Sequence, residues 1–511
     1  MGNLFSAIGA FCPWGAREAD GWRVAGKGAI SPLQSLANRI CNLTFNGGLP
    51  RHEFALPPLP DDEVTYWNSF DMTALLTFPK GGVHPPAAKE LTASLAIEVM
   101  PVPDELEIIL GQHIGAPCTP TVAAKDEVKE GQVIGEVVKG LGVPLHAPVS
   151  GIVKGLGQSA HPMRVSVPSL LLATNHEAAP ASYARRDWRQ FGKDELLKMV
   201  HGAGIIGIGG AGFPSHVKLN PPPDNPVDTL IINGAECEPY ITADHRQMLE
   251  ASAEIVEGAQ IILKILGIEN CWIGIENNKP DAIAAMGKAA RESSGPGRIT
   301  VAPLKVKYPQ GSEKQLIQAL TGRKVPAFAL PSAVGVVVHN VGTTKAIHDA
   351  VALGKPLYEK VLTVSGRGIA RPANLLVKVG TRVSDLVAYL GGVKPELAKV
   401  VMGGPMMGFA VSTLEVPVTK TTSSVLFLTE DEIDATPHSP CIRCGWCIEA
   451  CPMGLEPKEV AIHVEAGRAQ DTAKFGVFEC FECGCCAYVC PAKRPLVQFI
   501  RLAKMKAKKL G

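Results

Sequence analysis

Of the fourteen cysteines in this 511-residue chain, nine fall between positions 441 and 490. They compose two copies of one pattern. The first is CIRCGWCIEACP, with Cys441, Cys444, Cys447 and Cys451 before Pro452; the second is CFECGCCAYVCP, with Cys480, Cys483, Cys486 and Cys490 before Pro491. Both read C-x2-C-x2-C-x3-C-P, in which three thiolates of one tight loop hold one iron–sulfur cubane and the fourth ligates the other. The reading is two [4Fe-4S] clusters with crossed ligands: Cys441, Cys444, Cys447 and Cys490 for one, Cys480, Cys483, Cys486 and Cys451 for the other. Zinc is the competing use of clustered cysteines, but zinc sites close with four ligands and rarely show this paired repeat. Cys485 is left over and reads as a small buried residue. Between the runs, helical spacing puts Val460, His463, Val464 and Ala466 on one side. Two cysteine loops joined by helices are expected.

The other five cysteines are scattered, which argues against a disulfide framework. A chain this long divides into three to five domains. Its formal net charge of +1 gives no electrostatic case for nucleic acid as a partner. No apolar run reaches the ~18 residues needed to cross a bilayer, and residues 1–16 lack the basic start of a secretory signal. The chain reads as soluble and cytoplasmic. MGNLFS fits the myristoylation pattern, a short match that arises often by chance.

Single-electron clusters need a supplier, and the next informative stretch is MVHGAGIIGIGGAGFPSHVKLN, residues 199–220. Gly202, Gly204 and Gly207 form a literal G-x-G-x-x-G, yet DELLKMVH before it has helical spacing, and a dinucleotide fingerprint requires a preceding strand. The second half differs. Gly207, Gly209, Gly210 and Gly212 allow close backbone approach to a ligand, and Phe213-Pro214 opens a helix through Lys218, an arrangement suited to phosphate. An apolar strand follows and ends in Asn233, Glu236, Cys237, Glu238, Asp244 and Arg246. That is where α/β folds bind ligands, although a solvent-exposed turn fits the spacing as well.

GGAGFPSHVK and NGAECEP resemble the FMN- and NADH-binding subunit of respiratory complex I. With FPKGGVHPP (78–86), VPLHAPVSGIV (143–153), YPQGSEKQL (308–316), HNVGT (339–343), GGPMMG (403–408), PVTKTTSS (417–424) and both cysteine runs, residues 75–505 more closely resemble the C subunit of the Rnf electron transport complex. The resemblance implies FMN, two [4Fe-4S] clusters and NADH/NAD as substrate. It assigns Gly207, Gly209, Gly210, Gly212 and Lys218 to the flavin phosphate, and Asn233, Glu236 and Cys237 to the isoalloxazine. Tyr308, Gly311, Ser312 and Glu313 match a second flavin segment, Asn340 and Thr343 a third. Phe213, Lys218, Glu238 and Glu313 match positions near the nicotinamide nucleotide, with Glu238 and Glu313 as orienting groups and no protein acid, base or nucleophile required. Ala235 departs from the complex I pattern, which has aspartate there.

The expected fold class is multidomain α/β: an N-terminal extension (1–75), a barrel-sandwich-like β module (76–180), a Rossmann-like FMN- and NADH-binding domain (185–355), a soluble-ligand-binding β-grasp domain (356–432) and an α-helical two-cluster ferredoxin domain (435–505). Within the β module, Lys139 lacks the Asp or Met context of a lipoyl or biotinyl lysine and reads as structural. Lys504, Lys506, Lys508 and Lys509 read as a solvated helix end with a weak pull toward anionic lipid. The function implied is a peripheral NADH-oxidising electron-input subunit on the cytoplasmic face of the inner membrane. Its partners would be membrane subunits and a ferredoxin-type subunit of one ion-translocating NAD:ferredoxin oxidoreductase. A flavin-free iron–sulfur relay and the diaphorase subunit of a soluble hydrogenase are the alternatives.

Overall fold

Four strands with almost wholly apolar sequences build the sheet that organises the middle of the chain. In the computed structural model, which describes residues 75–507, they lie in the order Arg298–Leu304, Asn270–Glu276, Thr229–Asn233, Val336–Asn340, every pair parallel. Leu230, Ile231 and Ile232 have no solvent exposure. A strand buried on both faces carries such a continuous run rather than an alternation. Helices Ser252–Leu266, Pro280–Glu292, Glu313–Thr321 and Val341–His348 follow these strands or pack on them. Ser252–Leu266 buries Ile255, Val256, Ala259, Ile262 and Leu263 and stops at Gly267, whose φ of +67° is left-handed, a common helix terminator. The first three strands step in one direction; the fourth returns to the other side of Thr229–Asn233. The order therefore reverses between two strands whose last residues, Asn233 and Asn340, are direct partners. A crevice opens at the carboxyl ends of strands at such a reversal.

Three further sheets flank this unit. A six-stranded mixed sheet runs Ile97–Val99, Ala373–Lys378, Glu359–Ser365, Ser424–Thr429, Leu397–Met402, Phe409–Val411. Its first strand comes from far upstream and pairs in parallel with Asn374, Leu375 and Leu376. A four-stranded antiparallel sheet contains the long hairpin Gly151–His161/Arg164–Thr174, and a three-stranded one lies over the same core of Leu106, Ile108, Ile134, Leu145, Leu170 and Leu172. The chain is thus a multidomain α/β protein.

Beyond residue 440 the described chain has helices and loops only. Pro457–Glu465 buries Pro457, Val460, Ala461 and Val464. Ala466, expected on that face, is exposed because the helix ends one residue earlier. Leu496–Lys506 buries Leu496, Val497, Ile500 and Ala503. Lys504 corrects the reading of a solvated helix end: its ammonium bonds the Cys480 carbonyl and Glu482, each at 2.6 Å. Lys506 is exposed. Of the expected extension over residues 1–75, residues 1–74 with MGNLFS lie outside the described residues, as do Lys508 and Lys509. Among the described residues no helix is long and apolar enough to cross a membrane.

Candidate functional site

The G-x-G-x-x-G begins at the last residue of helix Lys193–Gly202, so no strand feeds it. The following loop is closed by Gly207 N–H donating to the Phe213 carbonyl at 2.9 Å and Ser215 N–H to Ile205 at 3.1 Å. It leads into a single helical turn, Ser215–Lys218. Gly209 and Gly210 are exposed. A Cβ on Gly210 would meet nothing within 4 Å, whereas one on Gly209 would sit 2.8 Å from the Asn340 amide. Gly212 has φ +71° and faces Thr421 and the His113 backbone, and its carbonyl accepts from Ile114 N–H at 3.1 Å. The glycines fill two needs: open backbone at the rim, and close contact with neighbouring modules beneath. Phe213 is half-buried at the end of the loop. Lys218 pairs with Glu313 at 2.5 Å, both partly exposed. An open glycine rim with a lysine beside it fits a phosphate monoester such as that of FMN.

Asn233 and Asn340 end their paired strands at the sheet reversal. Asn233 donates to the Gly311 carbonyl at 2.7 Å, and Gly311 N–H donates to Cys237 Sγ at 3.2 Å. Segments 233–237 and 308–313 are thereby laced together. Ser312 stands at the N-cap position of helix Glu313–Thr321, without a side-chain bond to it. Asn340 caps helix Val341–His348 by accepting from Gly342 and Thr343 N–H, and donates to Asp244 at 2.6 Å. Thr343 is fully buried and accepts from Ile208 N–H at 2.9 Å. Its hydroxyl thus supports the glycine loop from within.

The two glutamates point in different directions. Glu236, at φ +46°, turns inward and accepts from Asp244 N–H at 2.6 Å and His245 N–H at 3.3 Å. It satisfies the first-turn donors of helix Ala243–Glu250. Glu238 accepts from Met406 and Met407 N–H at 3.2 and 3.1 Å, which ties the turn to the GGPMMG loop, and lies 3.4 Å from the Tyr308 hydroxyl. Burial raises both carboxyls, that of Glu238 to about 7. The Tyr308 hydroxyl donates to the Cys483 carbonyl at 2.7 Å, and Cys237 packs with Tyr308, Val83, Ala450, Cys483 and Cys485.

Both cysteine sets surround cavities. One is lined by Cys441, Cys444, Cys447 and Cys490, with Lys458 and Arg494 at its edge. The other is lined by Cys451, Cys480, Cys483 and Cys486, with Cys485 beside them, together with Phe475, Val497 and Ile500. Each cavity receives its fourth cysteine from the other run, and four thiols around an apolar pocket fit a cubane. Cys485 is fully buried and its thiol lies 4.0 Å from the Tyr308 carbonyl. Cys444 is exposed whereas Cys451, Cys483 and Cys486 are buried, so the second set lies deeper and against Tyr308.

Sequence reasoning missed Lys89 and Lys279. Lys279 is buried and Lys89 half-buried beneath the 235–241 turn, and neither has a local pattern that distinguishes it from a surface lysine.

The profile described as "Nuo51 FMN-binding domain" matches residues 200–349, "RnfC Barrel sandwich hybrid domain" 76–177, "SLBB domain" 361–410 and "4Fe-4S dicluster domain" 438–494. The C subunit of the proton-translocating ferredoxin:NAD(+) oxidoreductase complex of Clostridium ljungdahlii is 46% identical over 84% of this chain and 94% of its own. The Na(+)-translocating counterpart of Acetobacterium woodii is 42% identical over 83% and 96%. The C subunit of the ion-translocating oxidoreductase complex of Rhodobacter capsulatus is 43% identical over 84% and 82%. A solved NAD+-reducing [NiFe]-hydrogenase superposes with a TM-score of 0.44 at 17% identity, over 63% of this chain and 61% of that one, a likeness that carries no weight here. By the extent of these identities, the chain belongs to the family of C subunits of ion-translocating (Rnf) ferredoxin:NAD(+) oxidoreductase complexes.

Proposed function

We infer that the chain is the NADH-oxidising electron-input subunit of such a complex, an NAD-dependent oxidoreductase that uses FMN and two [4Fe-4S] clusters. One observation carries the reading: the glycine loop and segments 233–238, 308–313 and 340–343 meet where the parallel sheet reverses, and the same Tyr308 that borders them bonds the Cys483 backbone. Bound FMN supplies two-electron exchange with NADH and one-electron exchange with a cluster. This chain's residues bind and orient. Gly207, Gly209, Gly210, Gly212 and Lys218 would hold the flavin phosphate. Asn233, Glu236 and Cys237, with Tyr308, Gly311, Ser312, Asn340 and Thr343, would shape the flavin bed. Phe213, Glu238 and Glu313 would position the nicotinamide nucleotide. Cys451, Cys480, Cys483 and Cys486 would hold the cluster nearer Tyr308, and Cys441, Cys444, Cys447 and Cys490 the one that reaches the surface at Cys444.

The finer assignments belong to the same reading: barrel-sandwich, Rossmann-like, β-grasp and helical ferredoxin domains with the boundaries given above. So do a peripheral place on the cytoplasmic face of the inner membrane, and membrane and ferredoxin-type subunits as partners. The test is anaerobic purification followed by measurement of FMN, iron and NADH-dependent reduction of an artificial acceptor. About one FMN and eight irons per chain are expected. A protein that holds both clusters but no flavin, and does not oxidise NADH, would establish the relay-scaffold alternative instead.

A further inference from the structure

The turn Ala235–Ile241 is held by two buried ammonium groups. Lys89 Nζ donates to the carbonyls of Glu236 (3.0 Å), Glu238 (2.9 Å) and Ile241. Lys279 Nζ donates to the Ala235 carbonyl at 2.8 Å and Asn278 Oδ1 at 3.0 Å, with Glu276 at 3.5 Å. A lysine has three donors and no acceptor, so each ammonium is saturated. The turn needs such support: Glu236 and Tyr240 are non-glycine residues at φ +46° and +67°, a conformation costing about 1–2 kcal/mol per residue. Strain of this kind persists only where the surroundings over-determine it. Lys279 has 1% exposure and Lys89 a side-chain exposure of 12%. Withdrawing two cations from water is itself costly, and their acidic neighbours, Glu276 at 3.5 Å from Lys279 and Glu236 at 4.0 Å from Lys89, are not at close contact.

We propose that Lys89 and Lys279 are positioning residues of the flavin site: they fix the Ala235–Ile241 carbonyls so that Asn233, Cys237 and Glu238 face their partners, and place positive charge beneath the site. The proposal rests on the flavin reading above. Removing one buried charge beneath the flavin disfavours its reduced, anionic form more than its oxidised form. A role confined to holding the backbone weakens both forms equally and leaves the potential unmoved.

The experiment uses the full chain with both clusters loaded. The FMN dissociation constant and the two-electron midpoint potential of bound FMN are compared for the unsubstituted protein, Lys89→Met and Lys279→Met. Iron content and cluster EPR report integrity. Each variant is expected to keep both clusters, to bind FMN at least tenfold more weakly, and to weaken reduced FMN a further tenfold relative to oxidised. That ratio is a fall of about 30 mV for a two-electron couple. Affinity and potential within twofold of the unsubstituted protein overturn the proposal, and weaker binding at an unchanged potential overturns its electrostatic part. If Lys89→Met yields no cluster-loaded protein, Lys89→Arg keeps the charge but cannot present three convergent donors. Weaker FMN binding at an unchanged potential then supports the proposal, and unchanged affinity overturns it. Unsubstituted protein that takes up no FMN overturns the flavin reading itself, a result distinct from all of these.

Discussion

Replacing Glu238 by glutamine converts a carboxyl that burial has displaced into a side chain that cannot titrate. The carboxyl is raised from 4.5 to about 7, chiefly by desolvation and against the N–H groups of Met406 and Met407. Between those two pH values the folded chain holds a proton that the unfolded chain has released. Stability therefore falls as pH rises through the window and is level above it. At 1.36 kcal/mol per pH unit, the full displacement is worth about 3 kcal/mol, and the part between pH 5.5 and 8.5 about 2 kcal/mol. The glutamine NH2 cannot accept, whereas both oxygens of the carboxyl can in either protonation state, so one of the two methionine N–H groups loses its partner at a roughly pH-independent cost of about 1–3 kcal/mol. Glu238→Gln should thus be less stable than the unsubstituted protein at pH 5.5, and the deficit should shrink by about 2 kcal/mol at pH 8.5. Anaerobic calorimetry would read this as a change of about 4–8 °C in the difference between the two melting temperatures. A deficit that stays constant, or grows with pH, would refute the reasoning and mean that Glu238 is an ordinary ionised carboxylate.

Cys451→Ala should remove the cluster of Cys480, Cys483 and Cys486 and spare that of Cys441, Cys444 and Cys447; Cys490→Ala should do the opposite. Iron content should fall from about eight to about four in each, and which cluster's EPR signal disappears distinguishes this crossing from two self-contained loops. Gly210→Ala meets no protein atom, so it should leave the melting temperature unchanged and weaken FMN at least tenfold by calorimetric titration. Gly212→Ala should instead destabilise by about 1–2 kcal/mol, from its positive φ and its contact with Thr421. Lys218→Met leaves Glu313 unpaired and would remove the proposed charge-assisted bond to phosphate; a loss of about 2–3 kcal/mol, or about 30- to 150-fold in FMN affinity, is expected by the same titration.

The parts of this protein that are legible in its sequence are those whose geometry is local. Three cysteines of one loop sit two residues apart because they ring one cavity, and the helical spacing of DELLKMVH discounts the literal G-x-G-x-x-G. The apolar run through Leu230, Ile231 and Ile232 announces a strand buried on both faces. What the sequence hides is long-range. Lys89 reaches carbonyls about 150 residues away, Tyr308 meets a backbone 175 residues away, and Ile97–Val99 completes a sheet whose next strand begins at Ala373. Lys504 looks like any terminal lysine until the fold brings Glu482 and the Cys480 carbonyl to it.

On the flavin reading proposed above, the bond from Tyr308 to the Cys483 carbonyl would couple flavin binding to cluster assembly. A cluster that orders the Cys480–Cys486 loop fixes the acceptor of the Tyr308 hydroxyl, and so steadies one wall of the flavin bed. By linkage, flavin must favour cluster retention by the same factor. A chain that has lost its inner cluster would then hold its flavin less tightly, so a protein with no outlet for electrons tends to lose its inlet as well.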